Sequence, residues 1–268
     1  METSHRYRRR VITAQINVAE HPIGDAGFRE NCRRELDTIG ALVVHNFFTP
    51  EAVAAVLDQS EKRRTDAYFT TDEHTVYLDP PDPAYTPDHP RNQLITSTKG
   101  CLTDDQVPAD SPLRAVYDSD AFRSFLCDVL DVDALHRYAD PLSSINVHFH
   151  EDGQELGWHF DNSSFAVTAL IQAPEGGGQF DYIPALRNTD SSDMNFDGVG
   201  RALVGEIPHL TLELEPGCLV LFRGRDALHR VTPSQGDRAR ILAVLAYNTE
   251  PDVALSESAR RTFFGRLS

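Results

Sequence analysis

Two tripeptides of the form His-x-Asp stand in this 268-residue chain, His150-Glu151-Asp152 and His159-Phe160-Asp161, where composition alone gives about one. Imidazole and carboxylate are the donors that a divalent transition metal takes. In the first tripeptide Asp152 runs into Gly153, a turn pair that takes the aspartate off a strand face. In the second, a large apolar residue separates the two polar ones. On an extended strand Trp158 and Phe160 then face a core while His159 and Asp161 project together from the opposite side. A metal needs a third ligand, and the segment EPGCLVLFRGRDALHRVTP supplies His229, set in a short strand after a turn at Arg223–Asp226. The expected metal ligands are therefore His159, Asp161 and His229.

Two histidines and one carboxylate bind Fe(II) on one face and leave three adjacent positions for a cosubstrate and O2. A cosubstrate such as 2-oxoglutarate chelates the iron through its C1 carboxylate and keto oxygen, and its C5 carboxylate needs a buried cation. Arginine suits this because its planar fork meets a carboxylate bidentately and stays charged when desolvated. Downstream of His229, the run VTPSQGDRARILAVLAYN offers Arg238 and Arg240. If its turn centres near Gln235, position 229 lies across a hairpin from about 240, which puts Arg240 nearest the histidine; Arg238 has the same parity and is the alternative.

These residues need a frame. Mixed polarity at helical spacing runs from Asp25 to Gly40, ALVVHNFF at Ala41–Phe48 reads as a strand, and Thr49-Pro50-Glu51 opens a helix through about Arg64. Asp79–Arg91 carries five prolines and is expected as an ordered loop or flexible cover. A helix is expected at Ser119–Leu130 with Phe122, Phe125, Leu126 and Val129 as its apolar face. Helices dominate this half. After Pro141 come short β-branched runs, SINVHFHE, SFAVTALIQA, GQFDYI, HLTLEL, CLVLF and RILAVLAYN, separated by Gly and Pro. Six such strands predict an antiparallel sandwich or jelly roll rather than a βαβ fold. Asn188–Val204 interrupts them with a polar insertion placed to act as a lid.

The combination HFD, PGCLVLF…LHRVTP and GDRARI, within about Pro141–Asn248, resembles the Fe(II)/2-oxoglutarate-dependent oxygenases. The resemblance implies a mainly β fold with N-terminal helices around a double-stranded β-helix, a cupin-like jelly-roll core. One domain, 1–268, is expected: a helix-rich buttress and substrate cover at 1–140, the core at 141–250 and a tail at 251–268. It also implies Fe(II), 2-oxoglutarate and O2, with ascorbate as a reductant, and succinate and CO2 as co-products. The tail YNTEPDVALSESARRTFFGR resembles a BesD-like bacterial subgroup that hydroxylates or chlorinates free amino acids. In its chlorinating members a small residue replaces the metal-binding carboxylate; this chain keeps Asp161, which implies hydroxylation.

An amino-acid substrate presents a carboxylate that needs its own cation. Arg91, which ends the proline-rich cover, is one placement, and a solvated loop arginine is the other reading. Asn162, next to Asp161, is expected to touch the substrate, with Phe263 or Phe264 capping it. Asn146, His148 and His150 share a strand face and either line the cavity or form a closed hydrogen-bond network. Two rival readings stand beside this one. His148-x-His150 with Glu155 fits a cupin pattern, although Leu142 and Asn162 occupy the places of its glycines. A jelly-roll binding module without turnover would make no succinate.

A net charge of −16 argues against a nucleic-acid backbone as partner, and the basic run at Arg6–Arg10 is too short to reverse it. No 18-residue apolar run or signal-type segment is visible, so no membrane partner and a cytoplasmic location are expected. Cys32, Cys101, Cys127 and Cys218 lack CxxC spacing and read as free thiols. The motifs carry no signal for oligomeric state.

Overall fold

The structure is a computed structural model that describes Ile12 and residues 14–268; the basic run at Arg6–Arg10 lies outside the described residues. Helix α1 (Ala26–Ile39) starts at Asp25, whose carboxylate accepts the Phe28 N–H, and ends at Gly40, where a φ of 75° turns the chain directly into strand β1 (Ala41–Val44). Helix α2 (Pro50–Arg63) is capped by Thr49 with Pro50 in its first turn. Strands β2 (Tyr68–Thr75) and β3 (Leu94–Leu102) pair along their length, and the proline-rich cover connects them. After α3 (Pro112–Tyr117), helix α4 (Asp120–Leu130) buries the expected face, Phe122, Phe125, Leu126 and Val129, completely.

The second half contributes β4 (Ile145–His150), β5 (Leu156–His159), β6 (Ala166–Gln172), β7 (Gly176–Gly177) and β8 (Phe180–Ile183). Helix α5 (Phe196–Leu203) follows within the polar insertion, then β9 (Leu210–Leu212), β10 (Leu219–Phe222), β11 (Leu228–Val231), β12 (Ser234–Gln235), β13 (Arg240–Leu245) and helix α6 (Glu257–Phe264). The main sheet runs β1-β10-β6-β13-β4-β3-β5-β11-β8-β9 with β2 on β3, and every pairing in it is antiparallel. Strand β3 folds the sheet over, since Gly100–Leu102 pairs with β4 while Ser97 reaches β5. The result is a jelly roll.

Side-chain alternation divides this sheet into an outer and an inner face. Ile145, Val147, Phe149, Val167, Ala169, Leu219, Leu221, Ile241 and Ala243 join the core shared with α1, α2 and α4. The intervening positions, among them His148, His150, Leu170, Val220 and Leu242, point the other way; Leu170, Val220, Leu242 and Cys218 pack together there.

Two expectations are corrected. Helices outweigh strands in the first half as expected, but the sheet is not built from the strands after Pro141 alone, because β1, β2 and β3 of the first half enter it. Tyr68–Thr75 reads YFTTDEHT, with too few apolar residues to announce a strand, and is held by its pairing with β3. Nor do β11 and β13 form a hairpin. Strand β11 pairs with β5 and β8, β13 pairs with β4 and β6, and β12 leaves to pair with β7. The chain therefore crosses from one wall of the roll to the other between His229 and Arg240. All four cysteines are free, and Cys127 alone is not fully buried. Among the described residues no helix is long and apolar enough to cross a membrane.

Candidate metal centre

His159 closes β5 and His229 lies directly opposite it on β11. Their rings are 4.2 Å apart between centroids. His159 Nδ1 is 2.7 Å from the Gly157 carbonyl and His229 Nδ1 is 2.9 Å from the Ala227 carbonyl. A carbonyl only accepts, so each Nδ1 carries the proton and each Nε2 is left with a lone pair. Asp161 completes the set: its Oδ1 is 3.7 Å from His159 Nε2 and 3.5 Å from His229 Nε2. One ligand atom from each of the three residues lies within 4.8 Å of the other two. The partition anticipated around Phe160 is present, for Phe160 is fully buried in a separate apolar cluster with Tyr77, Ile183 and Val199, and Trp158 packs beside it.

Asp161 lies just past the end of β5, where its N–H donates to the Gly224 carbonyl at 3.0 Å. A β-carbon at position 224 would collide with Asp161 Oδ2, so the turn that precedes β11 is shaped around the carboxylate. Burial lowers the His159 pKa to about 3, with His229 adding to the effect, so the imidazole stays neutral and available as a ligand. Burial alone would raise the Asp161 carboxyl, but His229, His159 and Arg187 hold it below its ordinary value. Phe222 meets the His229 ring edge-on at 4.8 Å and Phe180 stacks near it, walling this ligand from water.

A chain of hydrogen bonds fixes β5. The Gly157 N–H donates to Ser97 Oγ at 3.0 Å, Ser97 lies 2.7 Å from His74 Nε2, and His74 Nδ1 lies 3.0 Å from the Thr75 carbonyl. In the neutral ring that carbonyl takes the Nδ1 proton, and the Ser97 hydroxyl then donates to Nε2. His74 meets the His159 ring edge-on at 5.9 Å.

Arg240 is 1% exposed, and its Nη1 has no hydrogen-bond partner. Its neighbours on the inner face are in the same condition. His150, opposite it on β4, has both ring nitrogens buried and unpaired, and Ser234 Oγ is unpaired as well. A β-carbon on Gly178 would lie 3.1 Å from Arg240 Cδ and 3.3 Å from Ser234 Oγ, which brings these groups to one spot. Burial lowers the Arg240 pKa to about 10. Buried donors without acceptors are costly, and a carboxylate is the group that would satisfy them. Arg238, by contrast, is exposed and donates to the Ala173 and Pro174 carbonyls outside the roll.

The other anticipated residues are placed as follows. Arg91 has a side chain 14% exposed, set 3.9 Å from Asp79 and 5.8 Å above the Tyr77 ring, with Nη1 buried and unpaired. Asn162 is exposed beside Asp161. Asn146 is buried, but its amide donates to the Leu142 and Ile145 carbonyls. His148 is interior, and burial pushes its pKa well down. Phe264 packs against Cys101 and Leu142 as an anchor for the tail.

Four residues of this centre escaped the sequence reading. Arg187, in the loop after β8, stacks on Phe160 at 4.2 Å, near Tyr77, and its Nη2 lies 3.4 Å from the Asp161 carbonyl. Nothing in PALRNTD announces that. Gly224 and Ser234 act through turns whose geometry their neighbours set. Lys99 was visible, since LITSTKGCL alternates so that Ser97, Lys99 and Cys101 share a face.

A family model described as Halogenase D matches residues 99–263. Among solved structures, an oxidoreductase of the 2OG-Fe(II) oxygenase family from Burkholderia pseudomallei aligns at 11% identity over 85% of this chain and 94% of that one, with a TM-score of 0.52. The α-ketoglutarate-dependent epimerase SnoN of nogalamycin biosynthesis aligns at 12% identity over 83% of this chain and 81% of its own, with a TM-score of 0.56. The carbocyclase SnoK of the same biosynthesis aligns at 10% identity over 81% and 83%, with a TM-score of 0.55. At these identities the likeness is one of fold. The curated proteins contain no match to this sequence.

Proposed function

The chain belongs to the halogenase D family, and from the carboxylate it keeps between two ligand histidines we propose that it is an Fe(II)/2-oxoglutarate-dependent hydroxylase of a free amino acid. The observation that carries this reading is Asp161, whose Oδ1 stands 3.5–3.7 Å from both Nε2 atoms in a place that Gly224 keeps clear. A carboxylate there takes the position that an inorganic anion would otherwise share with the metal.

His159, Asp161 and His229 would hold iron, and Arg240, with His150 and Ser234 beside it, would hold the C5 carboxylate of 2-oxoglutarate. With these bound and O2 added, the site gains the chemistry that converts a C–H bond to C–OH while 2-oxoglutarate becomes succinate and CO2. The protein's own part is arrangement. Gly157 and Ala227 keep each Nδ1 protonated, so both Nε2 lone pairs face one point. Phe180 and Phe222 exclude water around His229. Arg187 secures the backbone of Asp161 from the far side. Arg91, whose side chain is 14% exposed and carries an unpaired Nη1, would take the substrate carboxylate, and Asn162 and His148 would contact the substrate as well.

Halogenation is the second reading, favoured by the family's description. Both are tested together by incubating the Fe(II) protein with 2-oxoglutarate, O2, chloride and a panel of free amino acids. Succinate coupled to a product with one added oxygen supports hydroxylation. A chlorinated product moves the reading to halogenation, and no iron-dependent succinate removes both.

A further inference from the structure

Lys99 is a half-buried cationic side chain to which the proposed function gives no role. It lies between Ser97, which reaches His74, and Cys101, which pairs with His148 across β3 and β4. Continuing that register by one residue sets Lys99 opposite His150, which is itself opposite Arg240. Both cations act on His150, but their side chains part from there. The Arg240 side chain runs past Gly178 and Ser234, whereas the Lys99 ammonium lies 5.4 Å from the ring of Phe263 on the tail helix α6.

Burial depresses the Lys99 pKa, and the groups that oppose this are Cys101, then Asp161, then Asp72; Lys99 makes no salt bridge with any of them among the described residues. Charge counting shows what is missing. A divalent metal, Asp161 and a 2-oxoglutarate dianion leave one negative charge, which Arg240 balances. Arg187 has Asp226 at 3.8 Å, and Arg91, with Asp79 at 3.9 Å, keeps its Nη1 unpaired. Lys99 is half-buried and has no ion-pair partner among the described residues, and a cation that a bound substrate would desolvate is costly without one. A substrate with a cationic side chain would be repelled there, and a neutral one would leave the ammonium unpaired.

Resting on the reading of this site as a 2-oxoglutarate-dependent oxygenase of a free amino acid, we propose that its substrate is a dicarboxylic α-amino acid, one carboxylate held by Arg91 and the other by Lys99. The aspartate, glutamate and 2-aminoadipate skeletons differ in reach and share this chemistry. Their amides are the matched controls, because glutamine keeps the shape of glutamate and loses only the charge.

The experiment compares oxygenated product and succinate for aspartate, glutamate and 2-aminoadipate against asparagine, glutamine and the side-chain amide of 2-aminoadipate, with leucine and lysine alongside, in the wild type and in Lys99→Met. At least one dicarboxylic amino acid should exceed its amide by about tenfold or more in kcat/KM, and Lys99→Met should erase that ratio. A general folding defect would lower acid and amide alike and leave the ratio in place, which counts against the proposal. So does a rise in the 2-oxoglutarate KM as large as that of Arg240→Ala, because Lys99 would then serve the cosubstrate. Failure of every dicarboxylic amino acid to yield oxygenated product overturns the inference, and iron-dependent succinate in the same tubes tells whether the reading of the site falls with it.

Discussion

Each ligand of the metal centre is held by something that leaves it one orientation. For the histidines it is a carbonyl two residues earlier; for Asp161 it is the absence of a side chain at Gly224. Gly224→Ala should therefore displace the carboxylate and weaken Fe(II) binding by about 10–100-fold, as loss of ligand support commonly does; unchanged affinity in a metal titration would mean that Asp161 does not ligate from this position. Arg240→Ala should raise the 2-oxoglutarate KM by about tenfold or more, since losing a buried charge-assisted pair costs about 2–5 kcal/mol. Arg238→Ala should leave it unchanged, because that guanidinium is spent on the Ala173 and Pro174 carbonyls. Steady-state kinetics with 2-oxoglutarate varied separates the two.

At the scale of elements, the five-proline connection between β2 and β3 is fastened by one side chain. Buried Asn92 accepts the Asp82 N–H through Oδ1 and donates to the carbonyls of Asp82, Tyr85 and Thr86. Tyr85 and His89 stack on each other and both meet Phe196 of α5 edge-on, so the cover and the polar insertion join as one aromatic cluster. Asn92→Ala leaves buried amide and carbonyl groups unpaired, at about 1–3 kcal/mol. Hydrogen exchange should show faster exchange over residues 80–92, with a raised substrate KM and unaltered Fe(II) and 2-oxoglutarate binding; unchanged protection would show that the aromatic stack suffices. The sequence made the ligand strands, the helix faces and the parity of β4 legible, since each depends on local alternation. It concealed which strands meet. The route from His229 to Arg240 looked like a hairpin because a Pro-Gly turn intervenes, and the true partners of β11 and β13 lie far away in the chain. Arg187 was concealed for the same reason, its contacts being with Phe160 and Asp161 across the fold.

The molecule as a whole carries several imidazoles buried without charge. His159 has a pKa of about 3 against an ordinary 6.5, and burial moves His148 and His150 in the same direction. Each folded value lies below the unfolded one, so their stabilising contribution is complete above pH 6.5 and is lost as pH falls toward the folded value. For His159 alone the loss between about pH 7 and pH 5 is about 2 kcal/mol. The melting temperature of the metal-free protein should fall steadily over that interval, and a flat profile would mean that these rings are hydrated or paired in solution. Metal binding opposes that loss, because a ligand of the folded state alone stabilises it. The central claim, that His159, Asp161 and His229 form one iron site, is tested most directly by anaerobic Fe(II) titration of the wild type and Asp161→Ala. The account predicts one tightly bound Fe(II) per wild-type chain and affinity weakened by about 100-fold or more in the variant; equal affinity in both proteins, or no saturable site in the wild type, would contradict it.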